Sequence, residues 1–165
     1  IHEGRIVNLR ESDYRRPDGT VVRREVIDHP GAVVIVPVDH DHVILVRQPR
    51  EAVESYTLEL PAGKLDHAGE DPLECAKREL AEEVDRAAGT WRDLGGFYTA
   101  PAILTAWIHC FLATGLTPVA GVEADEDEEI EIVEWPLSDL DGAIAQVRDA
   151  KTLVGLMRLE RELRR

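Results

Sequence analysis

Residues 63–86 read GKLDHAGEDPLECAKRELAEEVDR, and the acids at their C-terminal end constrain the fold more than any other feature. Positions three and four apart are neighbours on an α-helix. A helix here therefore gathers Glu79, Glu82 and Glu83 on one face, where like charges repel. A hard divalent cation held by oxygen ligands relieves that repulsion; a solvated acidic face is the alternative. The helix carries its own start signals. Asp71 suits the N-cap, Pro72 the first helical position, and Glu74 completes a D-x-x-E variant of the capping box. Leu73, Ala76, Leu80 and Val84 recur at helical spacing and predict a core-facing stripe that excludes the acids.

The chain of 165 residues suits one compact domain with a sizeable core. A formal net charge of −14 argues against a nucleic-acid partner, which needs a basic face. It also means that an anionic substrate approaches against the overall field, so local arginines and a cation must offset it. No apolar run reaches the length of a membrane span, and no signal-peptide pattern is visible. Cys75 and Cys110 fit a reduced, cytoplasmic protein and are read as packing residues. Asp39-His40-Asp41-His42 looks like a polar hairpin turn, not a metal site.

Residues 4–28 predict two strands joined at Arg16-Pro17-Asp18-Gly19. AVVIVPV (32–38) fits a buried strand and HVILVRQ (42–48) its neighbour. LEL (58–60) leads into Pro61-Ala62-Gly63. Further strands are expected around 91–99, 108–114 and 129–135. Ser138 is expected to cap a helix running to about 149. A last helix at 151–164 is expected to bury Leu153, Leu156, Met157 and Leu163. This order suits an α/β layered fold with a mixed sheet. An N-terminal antiparallel hairpin region (1–30) would precede the main domain (31–165).

The segment 63–86 resembles the Nudix box, G-x5-E-x7-R-E-U-x-E-E-x-G-U. Glu70 and Arg78-Glu79-Leu80-Ala81-Glu82-Glu83 match it residue by residue. Gly63 stands one residue too far from Glu70. Asp85 replaces the second glycine, at a position where helices commonly end in a left-handed residue. Arg86 replaces the last aliphatic residue. REVIDHPGAVVIVPV (24–38), VRQPR (46–50), ELPAGK (59–64), DAKT (149–152) and Pro101 look like the bacterial ADP-ribose pyrophosphatase subgroup. The resemblance implies an α/β/α sandwich, a metal-dependent hydrolase and a homodimer. One departure stands out. Where the family has Pro-Gly-Phe-Ser/Thr-Asp-Glu, this chain reads Pro101-Ala102-Ile103-Leu104-Thr105-Ala106, without the glycine or the acids.

By resemblance Glu79 and Glu83 ligate Mg²⁺ or Mn²⁺ directly, with the backbone carbonyl of Ala62. Glu82 would hold a second ion or a metal-bound water, and Glu70 sits at the edge of the site. Arg78 would orient the box glutamates. The acidic run ADEDEEIEI (124–132), aligned by its apolar end, puts Glu126 in the role of general base and Glu128 near a metal. A shift of one or two residues would name other acids. Arg50, and Arg47 second, are expected to clamp phosphate, since guanidinium pairs bidentately with it. Glu59 is a candidate contact to ribose or adenine, Gly63 and Pro101 line the substrate, and Trp107 is a candidate stacking residue. The expected reaction cleaves ADP-ribose to AMP and ribose 5-phosphate. Another nucleoside diphosphate derivative, or a nucleotide sensor that does not cut, are the alternatives.

Overall fold

The computed structural model describes residues 1–4, 7–65, 67, 69–119 and 129–165. Two sheets are present. The smaller is antiparallel and runs β1 (His2–Glu3), β2 (Asn8–Arg15), β3 (Val21–Asp28). Its β2–β3 turn closes as the Pro-Asp-Gly signal predicts. Gly19 N donates to Arg16 O at 2.9 Å, and Asp18 accepts from the backbone and hydroxyl of Thr20. The short β1 is an addition to the two strands expected.

The larger sheet has seven strands. Its spine is β10 (Glu131–Pro136), β5 (His42–Arg50), β4 (Ala32–Asp39), β9 (Trp107–Pro118), β8 (Arg86–Tyr98). β4 and β9 are parallel and their neighbours antiparallel, so the sheet is mixed. β8 and β9 extend well beyond the segments expected from sequence, because they pair along most of their length.

The pairing of β4 with β5 is short, and that positions the site. The two strands pair only at Val38↔Val43 and Asp39↔His42, beside the turn. Beyond it they diverge, and the returning chain fills the gap. β6 (Ser55–Glu59) pairs with β5, and β7 (Ala62–Lys64) with β4. The kink at Leu60-Pro61 lies between them. Ile35 N donates to Pro61 O at 2.9 Å, and Leu60 is fully buried.

Side chains alternate across β4, so the sheet buries both faces. Val33 and Ile35 pack with Cys75, Ala76, Leu80 and Val84 of α1 (Pro72–Val84). Val34 and Val36 pack with Leu60, Leu140, Ala143, Leu156 and Leu159, beneath α2 (Leu140–Gln146) and α3 (Ala150–Leu163). The result is an α/β/α sandwich.

Both ends of α1 follow the sequence. Asp71 accepts from Leu73 N and Glu74 N, with Pro72 at the first turn. Glu74 departs from the capping box: its carboxylate pairs with Lys77 at 2.7 Å. Asp85 ends the helix at φ 55°, ψ 37° and donates to Ala81 O.

Two C-terminal expectations are corrected. Ser138 does not cap a helix to 149. It lies in a 3-10 turn (Leu137–Asp139), α2 stops at Gln146, and Asp149 caps a separate α3 through Thr152 N. The buried side of α3 is Thr152, Gly155, Leu156 and Leu159, with Leu153 packed beside it. Met157 and Leu163 are exposed. Close contact decides the orientation: a Cβ on Gly155 would lie 2.3 Å from Leu60 Cδ1, so the helix rests on the kink through its glycine.

Asp85 holds a left-handed conformation that glycine adopts without a steric penalty, and its charge opposes the helix dipole. Asp85→Gly is expected to stabilise the protein by about 1 kcal/mol, read as a melting temperature about 2–4 °C higher.

Candidate active site

One cleft of about 430 Å³ opens where β4 and β5 part. Its lining includes Gln48, Arg50, Ala62, Gly63, Arg78, Glu79, Glu82, Glu83, Leu104 and Lys151. Of the residues expected from sequence, this cleft thus gathers Arg50, Ala62, Gly63, Arg78, Glu79, Glu82 and Glu83. Arg47, Glu59 and Pro101 do not line it, nor does Trp107. Glu126 and Glu128 lie outside the described residues.

The acidic wall comes from α1 and is organised by Arg78. Its Nε lies 3.1 Å from Glu70, and its Nη1 lies 2.8 Å from both Glu79 and Glu82. Burial alone would depress the guanidinium pKa, but Glu70, Glu79 and Glu82 outweigh that and raise it. In return, Arg78 is the main cause holding Glu70 below the usual carboxylate range. Glu83 is buried and accepts from Ala62 N at 3.2 Å. Gly63 lies directly against Glu79: a Cβ there would sit 1.9 Å from Glu79 Oε1, so the carboxylate would have to move aside. The one-residue change in spacing between Gly63 and Glu70 therefore leaves the strand-to-helix contact in place.

Among the described residues, no three His, Cys, Asp or Glu side chains form a ready metal cage. Glu79 and Glu82 are drawn to Arg78, and Glu83 to Ala62 N. The donor set nevertheless fits a hard divalent cation. Three carboxylates of one helix share a cleft wall, and a bare glycine leaves room against them. Cys75 and Cys110 are free and buried, and burial pushes their thiols up to about 12 and about 11. Neither is poised as a nucleophile or soft metal ligand.

The opposite, cationic side is held by Glu59. This carboxylate is 2% exposed. Arg50 donates to it twice, at 2.7 and 2.8 Å, and Thr57 and Lys151 also donate to it. Burial alone would raise its pKa. Arg50 and Lys151 outweigh burial and bring it down to about 2. Glu59 thus directs its hydrogen bonds to protein partners, at the wall of a neighbouring cleft. Gln48 and Lys151 were not singled out from sequence. Gln48 sits between two more conspicuous arginines, and Lys151 lies in DAKT, a segment noted for its resemblance to the family but without a role for the lysine.

Arg47 pairs with Glu131 at 3.3 Å and lines a neighbouring cleft, which Arg50, Glu59 and Lys151 also line. Pro101 lines another, of about 500 Å³, with Arg10, Tyr14, Arg24 and Tyr98. Leu104 borders both this cleft and the first. Trp107 lies edge-on to Tyr98 at 4.8 Å and covers Gly96, where a Cβ would meet it at 2.3 Å.

A family model described as NUDIX domain matches residues 28–153. The chain belongs to the Nudix family. It is 37% identical over 164 residues to an ADP-ribose pyrophosphatase of Bacillus subtilis (strain 168), covering 97% of this chain and 88% of that protein. It is 42% identical over 136 residues to an ADP-ribose pyrophosphatase of Mycobacterium tuberculosis (strain ATCC 25618 / H37Rv), covering 82% and 66%. The fold is similar to a crystal structure of ADP compounds hydrolase, with a TM-score of 0.88, 28% identity, and 99% and 90% coverage. This Nudix chain is a pyrophosphohydrolase, of a family that works with divalent metal ions on nucleoside diphosphate compounds. None of its described helices is long and apolar enough to cross a membrane.

The depressed pKa of Glu59 sets a pH window. Its pairing stabilises the fold fully above the ordinary carboxylate value of 4.5, and that contribution fades as pH falls towards about 2. Glu59→Gln, which removes the buried charge that Arg50 meets and leaves Lys151 with Asp149, is expected to cost about 3 kcal/mol at pH 7. Urea unfolding should show the gap between parent and variant narrowing below pH 4.5.

Proposed function

We propose that this chain hydrolyses the diphosphate of ADP-ribose to AMP and ribose 5-phosphate, with Mg²⁺ or Mn²⁺, in the cytoplasm. The observation that carries this reading is one cleft with a carboxylate wall (Glu79, Glu82, Glu83) and cations of Arg50 and Lys151. The names of its relatives support the substrate.

The cleft supplies what diphosphate hydrolysis needs. Arg50 and Lys151 offset phosphate charge in a chain of net charge −14. Glu79, Glu82 and Glu83, with the Ala62 carbonyl, would hold the cation, which on binding neutralises phosphate oxygens and lowers the pKa of water. Arg78 orients Glu79 and Glu82, and the Ala62 N–H orients Glu83. Water attacks one phosphorus, the bridging P–O bond breaks, and the other phosphate departs. Glu126 is assigned the proton of the attacking water on the family resemblance, with Glu128 beside a metal.

A panel of ADP-ribose, nucleoside diphosphate sugars and dinucleotides, with Mg²⁺ and products identified, tests this reading. AMP and ribose 5-phosphate are expected from ADP-ribose. Glu83→Gln should lower kcat by about 10²-fold or more while circular dichroism is unchanged. Parent-like rates from both Glu79→Gln and Glu83→Gln would overturn it.

The N-terminal hairpin region (1–30) is proposed to join a symmetric homodimer. Tyr14, Tyr98 and Ile103 are exposed around the cleft that contains Pro101, an apolar surface suited to a partner. The small sheet meets the large domain through Ile27 N to Ile103 O and Thr105 N to Ile27 O. Deleting residues 1–28 is expected to give a monomer with weakened substrate binding. Light scattering of a fully active, full-length monomer at micromolar concentration would refute it.

A further inference from the structure

We infer that Glu59 is a positioning residue: it holds the Arg50 guanidinium in the orientation that meets the substrate diphosphate. The inference rests on the reading of Arg50 as the phosphate clamp. Arg50 ends β5 and is followed by a 3-10 turn at Glu51–Val53, so its backbone leaves the sheet just where the side chain enters the cleft. Its side chain is 42% exposed, whereas that of Glu59 is 3% exposed. An arginine so open has many rotamers in water, and fixing one requires a rigid partner.

Glu59 is that partner. Both its oxygens receive Arg50, through Nε and Nη2, so the planar fork is fixed in direction as well as distance. The pairing leaves Nη1 as the nitrogen not used on Glu59. The carboxylate is itself fixed by Thr57 on its own strand and by Lys151 from α3. Lys151 also pairs with Asp149, and Asp149 accepts from Thr152, whose hydroxyl accepts from Leu60 N. The clamp is thus referenced through one continuous set of bonds to the kink between β6 and β7. Ala62 and Gly63, which face the carboxylate wall, begin just beyond that kink. Arg50 and the wall are thereby held relative to each other although they come from different elements.

A carboxylate that merely supports the fold and one that acts through Arg50 differ in a double-mutant cycle. Arg50→Ala, Glu59→Gln and the combined variant are assayed for kcat and KM on ADP-ribose, well below their melting temperatures. Glu59→Gln is expected to reduce kcat/KM about 10- to 100-fold with Arg50 present, and by less than about twofold in the Arg50→Ala background. Thr57→Val, which removes one support of the carboxylate and leaves its charge, should act in the same direction by about three- to tenfold, again only with Arg50 present. It carries the cycle if Glu59→Gln does not fold. Equal losses in both backgrounds overturn the inference alone. Unchanged kinetics in Arg50→Ala overturn the clamp reading, and the inference with it. An inactive parent on ADP-ribose moves the same cycle to whichever diphosphate of the panel is cut.

Discussion

The site depends on one guanidinium placed among carboxylates. Glu79, Glu82 and Glu83 fall within two turns of α1, and Glu70 approaches from the preceding loop. Left alone, such a group would repel strongly in a half-buried cleft. Arg78 meets three of them within 3.1 Å. The fourth, Glu83, turns to a backbone N–H at Ala62. The helix can therefore carry its acids into the cleft with a partner for each of them. The same contacts explain why α1 needs Gly63 opposite: Glu79 occupies the volume a side chain would take.

That helix face becomes a site because the sheet opens beneath it. β4 and β5 part after two residue pairs, and the chain returning through Glu59-Leu60-Pro61-Ala62 seals the gap with a strand on each side. The kink sends alternate contributions to two places. Glu59 reaches Arg50 and Lys151, and Ala62 and Gly63 reach the carboxylate wall. Leu60 anchors the turn by full burial, worth about 1.5–3 kcal/mol for a leucine, and Gly155 lets α3 lie directly on it.

The parts legible in the sequence are those decided locally. Asp71 and Pro72 start α1, Asp85 ends it, and helical spacing alone puts Glu79, Glu82 and Glu83 together. The strand cores at 32–38 and 42–48 are apolar runs that leave little choice. The misread parts depend on partners distant in sequence. Arg47 and Arg50 look alike in VRQPR, and only the pairings of β5 show that Arg50 meets Glu59 of β6 while Arg47 meets Glu131 of β10. The partner of Glu59, Lys151, is 92 residues away and invisible from its neighbourhood. Residues 138–149 contain apolar residues at helical spacing, yet Val147 turns extended and Arg148 donates to the carbonyls of Ala145, Gln146 and Val147. The helix ends because those carbonyls have a side-chain partner.

The loop after Pro101 shows how a departure from the family can be absorbed. Without acids, its polar contacts run to the chain's own backbone. Thr105 Oγ1 accepts from His29 N at 2.8 Å and lies 3.2 Å from His29 O, and Thr105 N donates to Ile27 O. Ala106 is 2% exposed and Leu104 is packed against the core. The cleft wall here, with Ala32 and Ile108, offers a substrate apolar surface and few donors. His29 is the exception on this side. Its Nδ1 accepts from Gly31 N, which leaves Nε2 as the ring's remaining polar atom, and burial followed by Lys64 keeps its pKa low. Charge in the cleft therefore comes from Arg50, Lys151 and α1, with Lys64 beside His29, while Leu104, Ala106 and Ile108 contribute none.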